Sequence, residues 1–189
     1  IMARVDSLPE GAKEALQIGS AIEREFSHEL IKKLIALPEQ DLIFQMSALK
    51  DSELLYERGV LPQSTYIFKH ALTREVVYSS LLLKKRIEIH ERIGKSIEEL
   101  YQNRLEEFYE MIAYQYSMSG NTRKAYEYLK LSAKKATRSH SMWEALSFYR
   151  KAIEKLKELP STEENKREHI ELIKTAEGPI RLLGYPEDS

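Results

Sequence analysis

The chain has 189 residues, 42% of them hydrophobic and 31% charged, which places it among soluble globular proteins able to bury one or two modest cores. Its 29 basic and 30 acidic side chains balance, so the overall charge argues for neither nucleic acid nor an anionic membrane, and any electrostatic role must be local. With no cysteine there can be no disulfide, thiolate nucleophile or cysteine-bound zinc; the cytoplasm is the expected compartment, and no apolar run is long enough to span a bilayer.

In chain order, Ser7 before Leu8-Pro9-Glu10 predicts an N-cap and a helix from about Leu8 to Gly19. Ser27 predicts the cap of a second helix, with Leu30, Ile31, Leu34 and Ile35 on one face and a stop near Leu37, before Pro38. Pro38-Glu39-Gln40 opens a third, with Leu42, Ile43, Met46 and Leu49 at helical spacing until Asp51-Ser52. From Glu53 to Lys69 the runs Leu54-Leu55-Tyr56 and Tyr66-Ile67-Phe68 flank Arg58-Gly59-Val60-Leu61-Pro62, a composition suited to two strands and a loop. Three helices and then a hairpin is the order of a winged helix; the alternative is a small helical domain with an irregular loop.

Beyond His70 the period is helical. A helix from about Leu83 to Tyr101 carries Ile87, His90, Ile93, Ile97 and Leu100 on one stripe. Helices are expected next over Leu105 to Met118, Thr122 to Arg138 after the Gly120-Asn121 break, Ser141 to Glu158, and Glu163 to Leu183 with a kink or break at Gly178-Pro179. Ala125-Tyr-Glu-Tyr128-Leu129 aligns with Ala145-Leu-Ser-Phe148-Tyr149, and alanine recurs at 113, 125, 133, 136, 145 and 152. Small residues where antiparallel helices come close suggest tetratricopeptide-like (TPR-like) hairpins, with an ordinary helical bundle as the alternative. The expected fold class is mostly α: a winged-helix domain over residues 1–82, a connecting helix over 83–104 and TPR-like repeats over 105–189. The leading Ile1 before Met2 is read as the cut end of a longer protein, with the repeat array continuing past Ser189.

Catalytic motifs are absent. The glycines at 11, 19, 59, 94, 120, 178 and 184 never approach phosphate-loop spacing, His90-Glu91 lacks the second histidine of a zinc helix, and Glu98-Glu99, Glu106-Glu107 and Glu163-Glu164 are adjacent pairs pointing apart. DNA is disfavoured as a partner because the third helix carries Glu39 and Asp41 beside Lys50, and the hairpin sets Glu53 and Glu57 against Arg58 and Lys69. The stretch from Arg123 to Lys157 holds ten basic residues (Arg123, Lys124, Lys130, Lys134, Lys135, Arg138, Arg150, Lys151, Lys155, Lys157) and three acidic ones (Glu127, Glu144, Glu154). Its aromatic residues include Tyr126, Tyr128, Trp143, Phe148 and Tyr149. It reads either as a groove for an acidic protein partner, with Arg123, Lys130, Lys134, Tyr126 and Trp143 as the contact residues, or as a solvated face over an aromatic core, the larger share going to the second. His70, at a strand-to-helix junction, could donate to a phosphate oxygen; chemistry alone favours a junction histidine bonding a carbonyl.

Taken together, Ile1-x-x-Arg4-Val5-Asp6-x-Leu8-Pro9, Phe68-Lys69-His70-Ala71-Leu72-x-x-Glu75-Val-Val-Tyr78, Arg86-x-x-x-His90, Glu98 and the alanine-rich hairpins resemble one family over nearly the whole chain. It is the region after the nucleotide-binding domain in STAND-class (AAA-like, P-loop) signalling ATPases of the kind fused to bacterial class III adenylate or guanylate cyclases. The resemblance implies a regulatory, noncatalytic fragment: no enzyme in itself, although the parent could be an ATPase and a cyclase. It implies that the winged helix packs on an upstream NTPase domain of the same chain, which binds ATP or ADP with Mg, while the fragment holds no cofactor. Phe68 to Leu72 resembles the Met-His-Asp-like motif whose histidine senses the nucleotide phosphate, which gives that role to His70; Ala71 stands where one branch of the class has aspartate. The repeats would bind a protein partner or the inducing signal, without a membrane. The rival is a DNA-binding winged-helix transcription regulator with a TPR sensor.

Overall fold

A computed structural model of the chain describes residues 2–184. It is mostly helical, with one small three-stranded antiparallel sheet, and divides into two compact units at residues 96 and 97.

The first unit runs α1 (Met2–Asp6), α2 (Glu10–Ile22), β1 (Glu25–Ser27), α3 (His28–Leu34), α4 (Glu39–Asp51), β2 (Leu55–Arg58), β3 (Thr65–Phe68) and α5 (Ala71–Ser80). It also includes most of α6 (Leu83–Leu100), the helix in which the boundary falls. Ser7 does not cap α2. Pro9 occupies the N-cap, and the Ser7 hydroxyl instead donates to the Arg4 carbonyl at the end of α1. Ser27 does cap α3, its Oγ accepting from the Leu30 amide at 3.2 Å. The sheet has the order β1-β3-β2, pairing Phe26 with Tyr66 and Leu55 with Phe68. The expected hairpin is thus β2-β3, and β1 extends it on the far side of β3. A three-residue strand has no pattern of its own to read; its pairing partner is about forty residues away.

Helix α2 packs on α4 and α5, and its Ala12, Ala15, Leu16, Ala21 and Ile22 are fully buried with Leu42 and Leu49 of α4 and Phe68 of β3. Burial of side chains this size is worth about 1.5–3 kcal/mol for each large one. On α6 His90, Ile93 and Ile97 of the expected stripe are fully buried and Ile89 joins them, while Ile87 is exposed.

The second unit contains the end of α6, a 3-10 helix (Gln102–Phe108), α7 (Tyr109–Ser119), α8 (Thr122–Arg138), α9 (Met142–Glu158) and α10 (Glu163–Leu182). The segment expected as one helix from Leu105 to Met118 is split at Phe108, which leaves helical geometry (φ −113°, ψ 5°) where its ring stacks on Tyr101 at 4.0 Å. Gly120 ends α7 at φ 76°, and the Asn121 side chain caps α8 by accepting from the Lys124 amide. Helices α7, α8, α9 and α10 pack in sequence, and Ala125, Ala133, Ala145 and Ala152 are fully buried where they meet. Helix α10 continues through Gly178-Pro179 without a break.

Candidate functional site

Strand β3 fixes where His70 emerges. Phe68 is fully buried and its amide donates to the Arg24 carbonyl, while the Lys69 amide donates to the Leu54 carbonyl, both at 3.0 Å. The chain is held on both sides up to residue 69. His70 then takes the N-cap of α5 in extended conformation (φ −132°, ψ 133°), exposed, with its carbonyl accepting from the Thr73 amide and its side chain making no cap bond.

The other polar residues of this stretch are engaged within the fold. Tyr78 Oη and His90 Nε2 share a hydrogen bond of 2.8 Å, and His90 is fully buried. Arg86 lies 4.8 Å over the Tyr78 ring and donates to the carbonyls of Leu81 (2.9 Å) and Ser79 (2.7 Å), closing the turn between α5 and α6. Glu98 accepts from Tyr116, Tyr128 and Lys124. Burial would raise the Glu98 carboxyl, but those three donors overcome it and hold its pKa below the ordinary value. The His70 side chain, in contrast, is presented to solvent without such a role.

One buried cluster has no signature in the sequence. His28 is 1% exposed; its Nδ1 and Tyr66 Oη are 3.0 Å apart, and its Nε2 lies 3.5 Å from a Glu39 oxygen. Burial pushes the Tyr66 phenol up to about 12. The partners are 38 residues apart, and only the sheet register brings them together.

Of the five residues expected to contact a partner, three are drawn into one cluster. Arg123, Tyr126 and Lys130 come together on α8: the Arg123 guanidinium is 5.4 Å and the Lys130 ammonium 4.9 Å from the centre of the Tyr126 ring. Glu168 of α10 completes this group, accepting from Arg123 in a two-pronged pair at 2.7 and 3.1 Å, with Lys130 3.9 Å away. Burial, and then the Glu168 charge, push the Tyr126 phenol up to about 12. Lys134 is exposed beside a groove lined by Glu106, Tyr109, Leu131, Thr137, Arg138, Tyr149 and Thr175. Trp143, on the first turn of α9, is 64% exposed and shares no bond or ring contact with the other four.

Among the described residues, no three His, Asp or Glu side chains are placed to hold a metal ion, and no helix is long and apolar enough to cross a membrane. No protein-family model matches the chain, and no curated protein or solved structure matches it either.

Proposed function

We propose that the chain is a noncatalytic regulatory module of a STAND-class signalling ATPase, possessing a winged helix followed by TPR-like hairpins. The observation that carries the reading is the order α2-β1-α3-α4-β2-β3 with the strands arranged β1-β3-β2. A short strand between α2 and α3, paired to the outer side of a hairpin that follows α4, is consistent with the connectivity of a winged helix. The alanine-centred packing of α7 to α10 supports the second half.

His70 fits the role of a phosphate sensor in one respect: it is an exposed imidazole, held by a fixed strand end and uncommitted to a cap bond. A nucleotide with its Mg would be held by the NTPase domain, and His70 would add one donor to a phosphate oxygen. The charge arrangement favours a protein-facing wing over the DNA reading. Lys50 is paired with Glu57, Arg58 with Glu25 and Lys69 with Glu53, so each cation of α4 and the hairpin already has a carboxylate.

The test is nucleotide retention by the protein carrying this chain with its NTPase domain. His70→Ala is expected to speed release of bound nucleotide or shift the ADP-to-ATP ratio, and unchanged retention would overturn the sensor role. Hydrolysis of ATP by the 189-residue chain on its own would overturn the noncatalytic reading.

A further inference from the structure

Helix α8 carries six cations, and five of them are neutralised within the second unit. Arg123 pairs with Glu127 and Glu168, Lys124 with Glu98, Lys130 with Glu168, Lys135 with Glu110 and Arg138 with Glu106. Lys134 is the sixth, exposed and with no carboxylate among the described residues. It stands on the edge of a groove of about 450 Å3 lined also by Tyr109, Leu131, Thr137, Tyr149 and Thr175 and by the Glu106–Arg138 ion pair, whose charges cancel and leave Lys134 as the unmet charge of the lining.

A second observation points into the same groove. Tyr149 is 1% exposed, and its hydroxyl makes no hydrogen bond of normal geometry, although it lies close enough to the Thr137 hydroxyl for that group to oppose part of the effect of burial on its pKa. Thr137 donates its own proton to the Ala133 carbonyl and Thr175 donates to the Glu171 carbonyl. An orphaned buried phenol is costly unless something supplies an acceptor. Burial also raises its pKa, so it stays a donor across the physiological range.

We infer that the groove between α8 and α10 binds an acidic peptide segment, seating one carboxylate on the Lys134 ammonium and the Tyr149 hydroxyl, with an adjacent apolar side chain against Leu131 and Tyr109. The inference rests on the reading of α7 to α10 as an interaction domain and names the partner chemistry of that domain. A carboxylate matches the unpaired cation and the orphaned donor together. It also explains why Arg123 and Lys130 need not take part: their charges are already met by Glu168.

The probe is a rhodamine-labelled, end-blocked hexapeptide of alternating leucine and glutamate, titrated with the full chain and read by fluorescence anisotropy, against the same peptide with glutamine for glutamate. The glutamate peptide should bind about tenfold more tightly than the glutamine one, one charge-assisted pair being worth roughly that much. Lys134→Gln should weaken the glutamate peptide about fivefold and so cut the preference to about twofold, leaving thermal stability unchanged because Lys134 has no internal partner. Tyr149→Phe, which keeps the packing, should reduce the preference about threefold, and Lys151→Gln, outside the groove, should change nothing. Equal binding of the two peptides, an unaltered Lys134→Gln variant, or no saturable binding up to about 1 mM would each overturn the proposal. Failure here is separable from failure of the regulatory reading, which is scored on nucleotide retention at His70.

Discussion

Lys124 Nζ lies 2.8 Å from Glu98 Oε1, tying the first turn of α8 to the end of α6. Because Tyr116 and Tyr128 donate to the same carboxylate, removing Glu98 strands two largely buried phenols and a cation together. Glu98→Ala is therefore expected to lower the unfolding free energy of the second unit by about 2–3 kcal/mol, measured by denaturant titration. An equal midpoint for variant and wild type would contradict the role assigned to this cluster.

The same carboxylate sets a pH dependence. Its folded pKa is held below the ordinary value, so its stabilisation is complete above the ordinary carboxylate range and is lost as pH falls through the lower folded value. Wild type should lose stability relative to Glu98→Gln as pH falls from about 6 to about 3. A stability difference that grows on acidification would reverse the sign and refute the assignment.

Gly19 is a packing glycine in the middle of α2. A Cβ there would come 2.6 Å from the Phe26 ring, which is itself buried. Gly19→Ala should cost about 1–3 kcal/mol from overpacking, in spite of the better helix propensity of alanine. A more stable variant by thermal melting would show that the ring can move aside.

His140 follows the end of α8 at φ 61°, a left-handed conformation. The Ser141 amide reaches back to the Ala136 carbonyl at 2.9 Å and the His140 amide to that of Thr137 at 3.2 Å, the paired bonds that glycine usually supports at this position. His140→Gly should stabilise by about 0.5–1 kcal/mol, read as a higher melting temperature, and a lower one would contradict this account of the turn.

The sequence carried the local punctuation well. Helix α8 runs over the expected residues because Gly120-Asn121 and the turn at Ser139-His140 bracket it, and Ser27 caps α3 as its spacing predicted. What escaped depends on residues distant in the chain. Strand β1 exists through its pairing with β3, and the split before α7 exists because Tyr101 stacks on Phe108. The site shows the same division. His70 could be placed at a strand-to-helix junction from its neighbours alone, but the sequence could not reveal that Glu168 would occupy Arg123 and Lys130 or that Lys134 would be left over beside the Tyr149 hydroxyl. Ten cations in one stretch read as a single basic surface until each carboxylate partner is located.

The proposed sensor role of His70 is tested by loading the parent protein, which on this proposal carries an NTPase domain, with labelled ATP and timing nucleotide release, with and without His70→Ala. The variant should release nucleotide faster or hold an altered nucleotide ratio, with unchanged folding of the chain by circular dichroism because the His70 side chain makes no cap bond. Identical release from both proteins would contradict it.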